Sequence, residues 1–240
     1  MLDFHLHLAR LPHPKELANV LVERNYHYIA IACEPWEWEI LEKMDLDEKS
    51  PKSFGIHPMI AAQITEKDWM RLGELLEKNS KAAVGECGID KRFEGYNDIQ
   101  EQVFIRQVEL ARKLERDLQI HCVGDYGRII KILSDCGYPK ANSKAHTIFH
   151  RFGGDISTVH AAQNFNPIFS LHADSFRKKA TAKAIADISK EQVRFETDAD
   201  ESFFNEDRRC PTESGMTAIE IADKLEAQLK AITITYDSKI

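Results

Sequence analysis

The chain has 240 residues, 43% of them hydrophobic, which is enough to bury a sizeable core. Its 39 acidic and 32 basic residues leave a net charge of −7, so a polyanionic partner would need a local basic patch. A mean hydropathy of −0.41, with no long apolar run, excludes a membrane-spanning helix, and no membrane partner is expected. No basic and apolar leader opens the sequence. The five cysteines are odd in number and form no CxxC pair, so they read as reduced thiols. Both features predict a cytoplasmic protein.

The first stretch, MLDFHLH, places Asp3, His5 and His7 at alternate positions, on one face of a strand, with Leu2, Phe4 and Leu6 on the other. Three ionisable groups buried side by side are costly unless a metal ion or a hydrogen-bond network pairs them. A helix over 14–24 follows, then a strand YIAIAC (28–33), a short helical stretch over 36–46 and a strand SFGIH (53–57). A helix over 66–78 leads to the strand AAVGECG (82–88), and a long helix over 98–116 to LQIHCV (118–123). The remaining strands are KAHTIFH (144–150), PIFSLHA (167–173) and VRFETDA (193–199), with helices over 126–135, 157–163, 176–188 and 216–229. Eight strands, each followed by a crossover, predict a single-domain TIM (β/α)8 barrel over residues 1–240. An open doubly wound sheet would bring a glycine-rich loop after its first strand, and LARLPHP contains no glycine.

In such a barrel the reacting groups gather at the C-terminal ends of the strands. Those ends carry His5, His7, His57, Glu86, His121, His150, His172 and Asp198. Any one histidine alone reads as a hydrogen-bonded core residue. As a set converging on one mouth they read as metal ligands. His5, His7, Glu86, His121, His150 and Asp198 are too many for one tetrahedral ion with an open position. They predict two divalent ions about 3.5–4 Å apart, bridged by Glu86. Mixed imidazole and carboxylate donors suit Zn or Mn, and Mg is compatible. The chemistry implied is hydrolysis.

Six motifs then carry a resemblance: DFHLH (3–7), GIHP (55–58), AVGECGID (83–90), QIH (119–121), HRFGG (150–154) and ETDAD (196–200). With IQEQVFIRQVELARKL (99–114) as the helix after the fourth strand, the chain resembles the TatD-related DNase family of metal-dependent hydrolases over nearly its whole length. The resemblance implies a TIM barrel whose two-metal centre hydrolyses phosphodiester bonds of DNA. It assigns His5, His7, Glu86 and Asp198 to one ion, and Glu86, His121 and His150 to the other. Asp198 would also orient the attacking water or take its proton, and Asp3 would support a ligand histidine from behind.

Three motifs depart from the family pattern. Val123 stands where the family carries an arginine two positions after the fifth-strand histidine, HRFGG replaces HCFSG, and ETDAD replaces ETDAP, so that Asp200 adds negative charge. Arg92 and Arg151 are candidates to bind phosphate instead, and His57 and His172 to touch the scissile group. The alternative substrate class is a small ester, amide or phosphate ester, favoured by Val123 and Asp200. A non-catalytic barrel would be marked by loss of a ligand, yet every ligand position is filled. A mononuclear deaminase would lack the fourth-strand carboxylate. Trp36 and Trp38, flanked by Glu34, Glu37 and Glu39, are read as packing or rim residues, and RKKATAK (177–183) as a solvated helix start. His13, His27, His146 and His160, with Cys87 and Cys122, are read as structural. The residues carry no signal for oligomeric state.

Overall fold

The computed structural model describes residues 1–93, 98–204 and 215–239. Its strands run parallel and neighbour one another in chain order: β1 (Leu2–Leu6), β2 (His27–Ala32), β3 (Lys52–Phe54), β4 (Ala83–Asp90), β5 (Leu118–Val123), β6 (Thr147–Phe149), β7 (Pro167–Leu171) and β8 (Val193–Phe195). The chain just past β8 returns to β1. There the His7 N–H donates to the Ala199 carbonyl at 3.1 Å, and the Asp198 N–H to the His5 carbonyl at 3.0 Å. The predicted TIM barrel is the observed architecture.

Outside the sheet lie α1 (Pro14–Glu23), α2 (Pro35–Glu42), α3 (Glu66–Lys78), α4 (Ile99–Leu114), α5 (Tyr126–Asp135), α6 (Ile156–Ala162), α7 (Lys179–Ile185) and α8 (Ala218–Lys239). Strands covered on both faces must be apolar almost throughout, and every residue of β4 and of β7 is buried. The helices start where side chains satisfy free backbone donors. Thr65 and Asp68 form a reciprocal capping box at α3, and Asp125 and Asp155 accept from Arg128 N–H and Thr158 N–H at α5 and α6. Among the described residues no helix is long and apolar enough to cross a membrane.

Two elements differ from the sequence reading. The last helix continues to Lys239 instead of stopping at Leu229, because its buried stripe of Ile221, Leu225, Leu229, Ile232 and Tyr236 keeps helical spacing. The β-branched run ITIT conceals that spacing in propensity terms. The helix expected over 176–188 divides into a 3-10 turn, Ala173–Phe176, and α7. The His172 ring starts the turn by accepting from Asp174 N–H, and Ser175 Oγ accepts from His172 N–H.

Trp38 lies wholly in the core, and its indole N–H is shared by the carbonyls of Ala32 at 3.1 Å and Gly55 at 3.0 Å. Gly55 in turn packs against β4 so closely that a Cβ there would sit 2.5 Å from Gly85 Cα. The obstacle is backbone, so β4 and Glu86 with it would have to move. Gly55→Ala is expected to cost about 1–3 kcal/mol, at about 2–4 °C of thermal midpoint per kcal/mol. Circular-dichroism melting reads the change, and an unaltered midpoint would contradict this contact.

Candidate metal centre

The period of two in β1 turns Asp3, His5 and His7 inward together, and all three are buried. His5 Nε2 lies 3.3 Å and His7 Nε2 3.4 Å from the same oxygen, Glu86 Oε2. Asp198 Oδ1 faces the same two nitrogens at 3.9 and 3.7 Å. The other oxygen, Glu86 Oε1, lies 2.6 Å from His121 Nδ1, 3.0 Å from His150 Nε2 and 3.7 Å from His57 Nε2. Four of the other five predicted donors, His5, His7, His121 and His150, therefore surround the Glu86 carboxylate, and Asp198 closes on two of them. His150 stands between the two sides, since its ring also stacks on His5 at 3.9 Å and comes within ligand distance of Asp198.

These spacings fit divalent cations. Donors about 2.0–2.2 Å from a common ion lie roughly 3–3.6 Å from one another, close to the separations around Glu86. The charges agree. Burial opposes ionisation of Glu86, but the neighbouring His150 and His5 and the hydrogen bond with His121 outweigh it and hold the carboxyl well below its usual range. Asp198 is lowered in the same way: burial is overcome by His150, by a hydrogen bond with His7 and by His5. Burial works against a charged His150, and the carboxylates Glu86, Glu196 and Asp198 prevail, raising its pKa well above the ordinary value. Buried anions of this kind require cations beside them.

His57 behaves differently. Burial pushes it down to about 3, so its ring is neutral. Its Nδ1 accepts from Met59 N–H at 3.1 Å, which puts the ring proton on Nε2, the atom that faces Glu86. Gln107 of α4 holds the preceding residue by bonding both the N–H and the carbonyl of Ile56.

Sequence reasoning missed the groups that orient these rings. Asp90 Oδ2 bonds His121 Nε2 at 2.9 Å, Glu196 Oε1 bonds His150 Nδ1 at 3.0 Å, and Gln119 Oε1 lies 3.3 Å from His5 Nδ1. Such outer partners fix the tautomer that a ligand histidine offers. The signal was available. Glu86, Gly88 and Asp90 share one face of β4 by alternation, and Glu196 stands two positions before Asp198. Gly88 has φ +152°, and a Cβ there would meet the His121 carbonyl at 1.9 Å. Glycine thus lets the β5 backbone at His121 lie close against β4, between Glu86 and Asp90.

Two expectations are corrected. Asp3 does not support an imidazole. Its carboxylate accepts from Thr197 Oγ1 at 2.6 Å, Thr197 N–H at 3.0 Å, Tyr26 O–H at 2.8 Å and His5 N–H at 3.2 Å. Those donors occupy it, and it ties β1 to the chain after β8. His172 does not face the cavity. Its Nδ1 accepts from Asp174 N–H, and its Nε2 lies 3.3 Å from Gln228 Nε2 on α8, so it belongs to the packing behind the rim.

The centre opens into a cavity of about 380 Å³ bordered by His57, Val123, Asp174, Asp200 and three arginines. Arg151 donates to Asp198 Oδ2 at 2.6 Å and also to Asp174. Arg92 chelates the Asp90 carboxylate, with Nη2 2.6 Å from Oδ2. Arg10 binds Glu37 at 2.6 Å, Glu201 at 3.2 Å and Glu34. Trp36 is half exposed beside Arg10, whose guanidinium lies 5.3 Å from its ring. Arg151 and Asp198 both hold left-handed backbone, at φ +44° and +50°, at a cost of about 1–3 kcal/mol each. Their ion pair and the Asp198 N–H bond to β1 maintain that conformation.

Known proteins share this plan. The family described as TatD related DNase matches residues 2–234. YabD of Bacillus subtilis, named as a metal-dependent hydrolase, is 23% identical over 206 residues, covering 82% of this chain and 79% of that protein. The human deoxyribonuclease TATDN3 is 25% identical over 220 residues, covering 83% and 77%. The crystal structure of YJJV, a TATD homolog from Escherichia coli K12, superposes with a TM-score of 0.74 at 18% identity over 100% of this chain and 94% of that one, a likeness of fold. With a family match running from the first strand into the last helix, the chain belongs to the TatD related DNase family.

Proposed function

We propose that the protein is a two-metal hydrolase of phosphodiester bonds that acts on DNA. The observation carrying this reading is Glu86, whose two oxygens face two separate sets of imidazoles. His5, His7, Glu86 and Asp198 would hold one divalent ion, and Glu86, His121 and His150 the other, with Zn, Mn or Mg as the metal. Bound there, the ions would supply an activated water and neutralise charge on the phosphoryl group. Family membership and the deoxyribonuclease activity named for TATDN3 support the substrate.

The side chains divide the remaining work. Arg151 fixes Asp198 through Oδ2, leaving Oδ1 toward His5 and His7 to accept the proton of the attacking water. His57 presents its Nε2–H at the cavity wall, where it can donate to a developing oxyanion. Arg92 and Arg151 border the mouth and would meet the substrate phosphate by sharing their present carboxylate partners. The free thiols Cys33, Cys87, Cys122 and Cys136 support a cytoplasmic setting, while Cys210 lies outside the described residues. One continuous barrel core supports the single-domain reading.

A second reading, a small phosphate ester, ester or amide as substrate, is favoured by one observation. Each of the three mouth arginines is already paired with a carboxylate, and Asp174 and Asp200 stand on the same rim. The deciding experiment purifies the protein without chelator, counts bound metal by mass spectrometry and assays single-stranded DNA and small phosphate and carboxylate esters with Mg, Mn or Zn. Close to two ions per chain with cleavage of DNA supports the first reading. Two ions with turnover of small esters alone supports the second.

Three further outcomes are expected. Glu86→Gln and Asp198→Asn should each lower kcat by about 10²–10⁴-fold with the barrel intact by circular dichroism; full rates in either variant would remove the assigned role. Asp90→Asn should weaken metal binding by about 10–100-fold, measured by calorimetric titration. Saturating metal at about a hundred times its Kd should raise the thermal midpoint by roughly 5–10 °C over chelated protein.

A further inference from the structure

We propose that Cys33 is a sulfur ligand to the ion held by His5, His7, Glu86 and Asp198, and that it biases this position towards soft divalent cations such as Zn, Co and Cd; the proposal rests on the two-ion reading above. Cys33 follows the last residue of β2 and is buried in the cavity wall. Its Sγ lies 3.9 Å from Glu86 Oε2, the oxygen that His5 and His7 also face. With metal–sulfur bonds of about 2.3 Å and metal–oxygen bonds of about 2.0–2.2 Å, sulfur and oxygen at neighbouring positions of one five-coordinate ion stand about 3.1–3.8 Å apart. The observed spacing needs only a small adjustment.

A second observation concerns His7. One of its ring nitrogens, Cys33 Sγ and a Glu37 oxygen lie within 4.8 Å of one another, and Cys33 is the only cysteine in such a group among the described residues. His7 Nδ1 is buried without a hydrogen-bond partner, 3.7 Å from Glu37 Oε1. The groups beside this ring include Glu37 and the Cys33 thiol, at longer range than the carboxylates that hold His121 and His150. Glu37 does not compete as a ligand. Its Oε1 is taken by Arg10 Nε at 2.6 Å, and its Oε2 accepts the N–H groups of Cys33 and Glu34 at 2.8 Å each. Glu37 thus holds the Cys33 backbone in place while the thiol faces the centre.

The bond change is simple. A soft cation forms a sulfur–metal bond, the S–H bond breaks, and the proton passes to water in the cavity. Mg, which selects oxygen donors, leaves the thiol protonated and unused. Thiolate donors accordingly favour Zn over Mg at this one position.

Cobalt titration tests the proposal directly. Wild-type protein loaded with Co(II) should show a sulfur-to-cobalt charge-transfer band in the near ultraviolet. Cys33→Ser and Cys33→Ala should lose that band while keeping the visible cobalt bands, and Cys122→Ser, whose residue also borders the cavity, should retain it. Zn affinity of Cys33→Ser should fall by at least about tenfold, as even an outer partner's loss produces, with Mg affinity unchanged. Visible cobalt bands without a charge-transfer band in the wild type, or a band surviving in both Cys33 variants, would overturn the sulfur ligand and leave the two-metal reading standing. No cobalt bound at all would overturn both.

Discussion

A single buried negative charge organises this barrel. Glu86 projects from β4 to the buried floor of the cavity, and a carboxylate there is tolerated only with cations or hydrogen-bond donors on both oxygens. Imidazoles supplied by β1, β5 and the ends of β3 and β6 meet that demand from opposite sides. Three of these rings, His121, His150 and His5, have the far nitrogen engaged by Asp90, Glu196 and Gln119 in turn. The outer carboxylates then need partners of their own, and Arg92 and the Arg151 backbone N–H provide them. Polarity therefore spreads outward in shells from one residue, with apolar packing closing round it.

The frame that keeps these shells in register is the seam between the first and last strands. A barrel closes only if its ends meet, and here Asp3 binds Thr197 by backbone and side chain while Tyr26 holds its second oxygen. Burial keeps the Asp3 carboxyl up at about 7, above its usual range. The seam sets His5 and His7 opposite Asp198, since each side of it carries part of the same cluster of donor atoms. The contacts that close the barrel are thus also the ones that place His5 and His7 opposite Asp198.

Much of this was legible in the sequence. Alternating strands and helices gave the barrel, and the strand-end histidines pointed to the cluster round Glu86, because side-chain alternation and the C-terminal mouth are properties of the backbone. Asp90 and Glu196 follow from the same alternation but resemble ordinary polar positions when no ring is known to lie beside them. Asp3 and His172 misled for a physical reason. Both share the inward parity of the ligands, and only the positions of Tyr26, Thr197 and Gln228, distant in sequence, show that their polar atoms are already engaged. The length of α8 was hidden by β-branched residues whose propensity is overruled by burial of Ile232 and Tyr236.

The compensated arginines at the mouth bear on the order in which a complex could assemble. Arg10, Arg92 and Arg151 each spend their charge on a neighbouring carboxylate, so the rim projects little positive field, and the chain as a whole carries −7. Beyond a Debye length of about 8–10 Å such paired charges attract nothing. For a polyanionic strand, the metal-free protein is then a mildly repulsive surface, and ions bound at the proposed centre would become the electrostatic beacon. Substrate capture would be conditional on loading: ions first, strand second, with the empty barrel passing nucleic acid by.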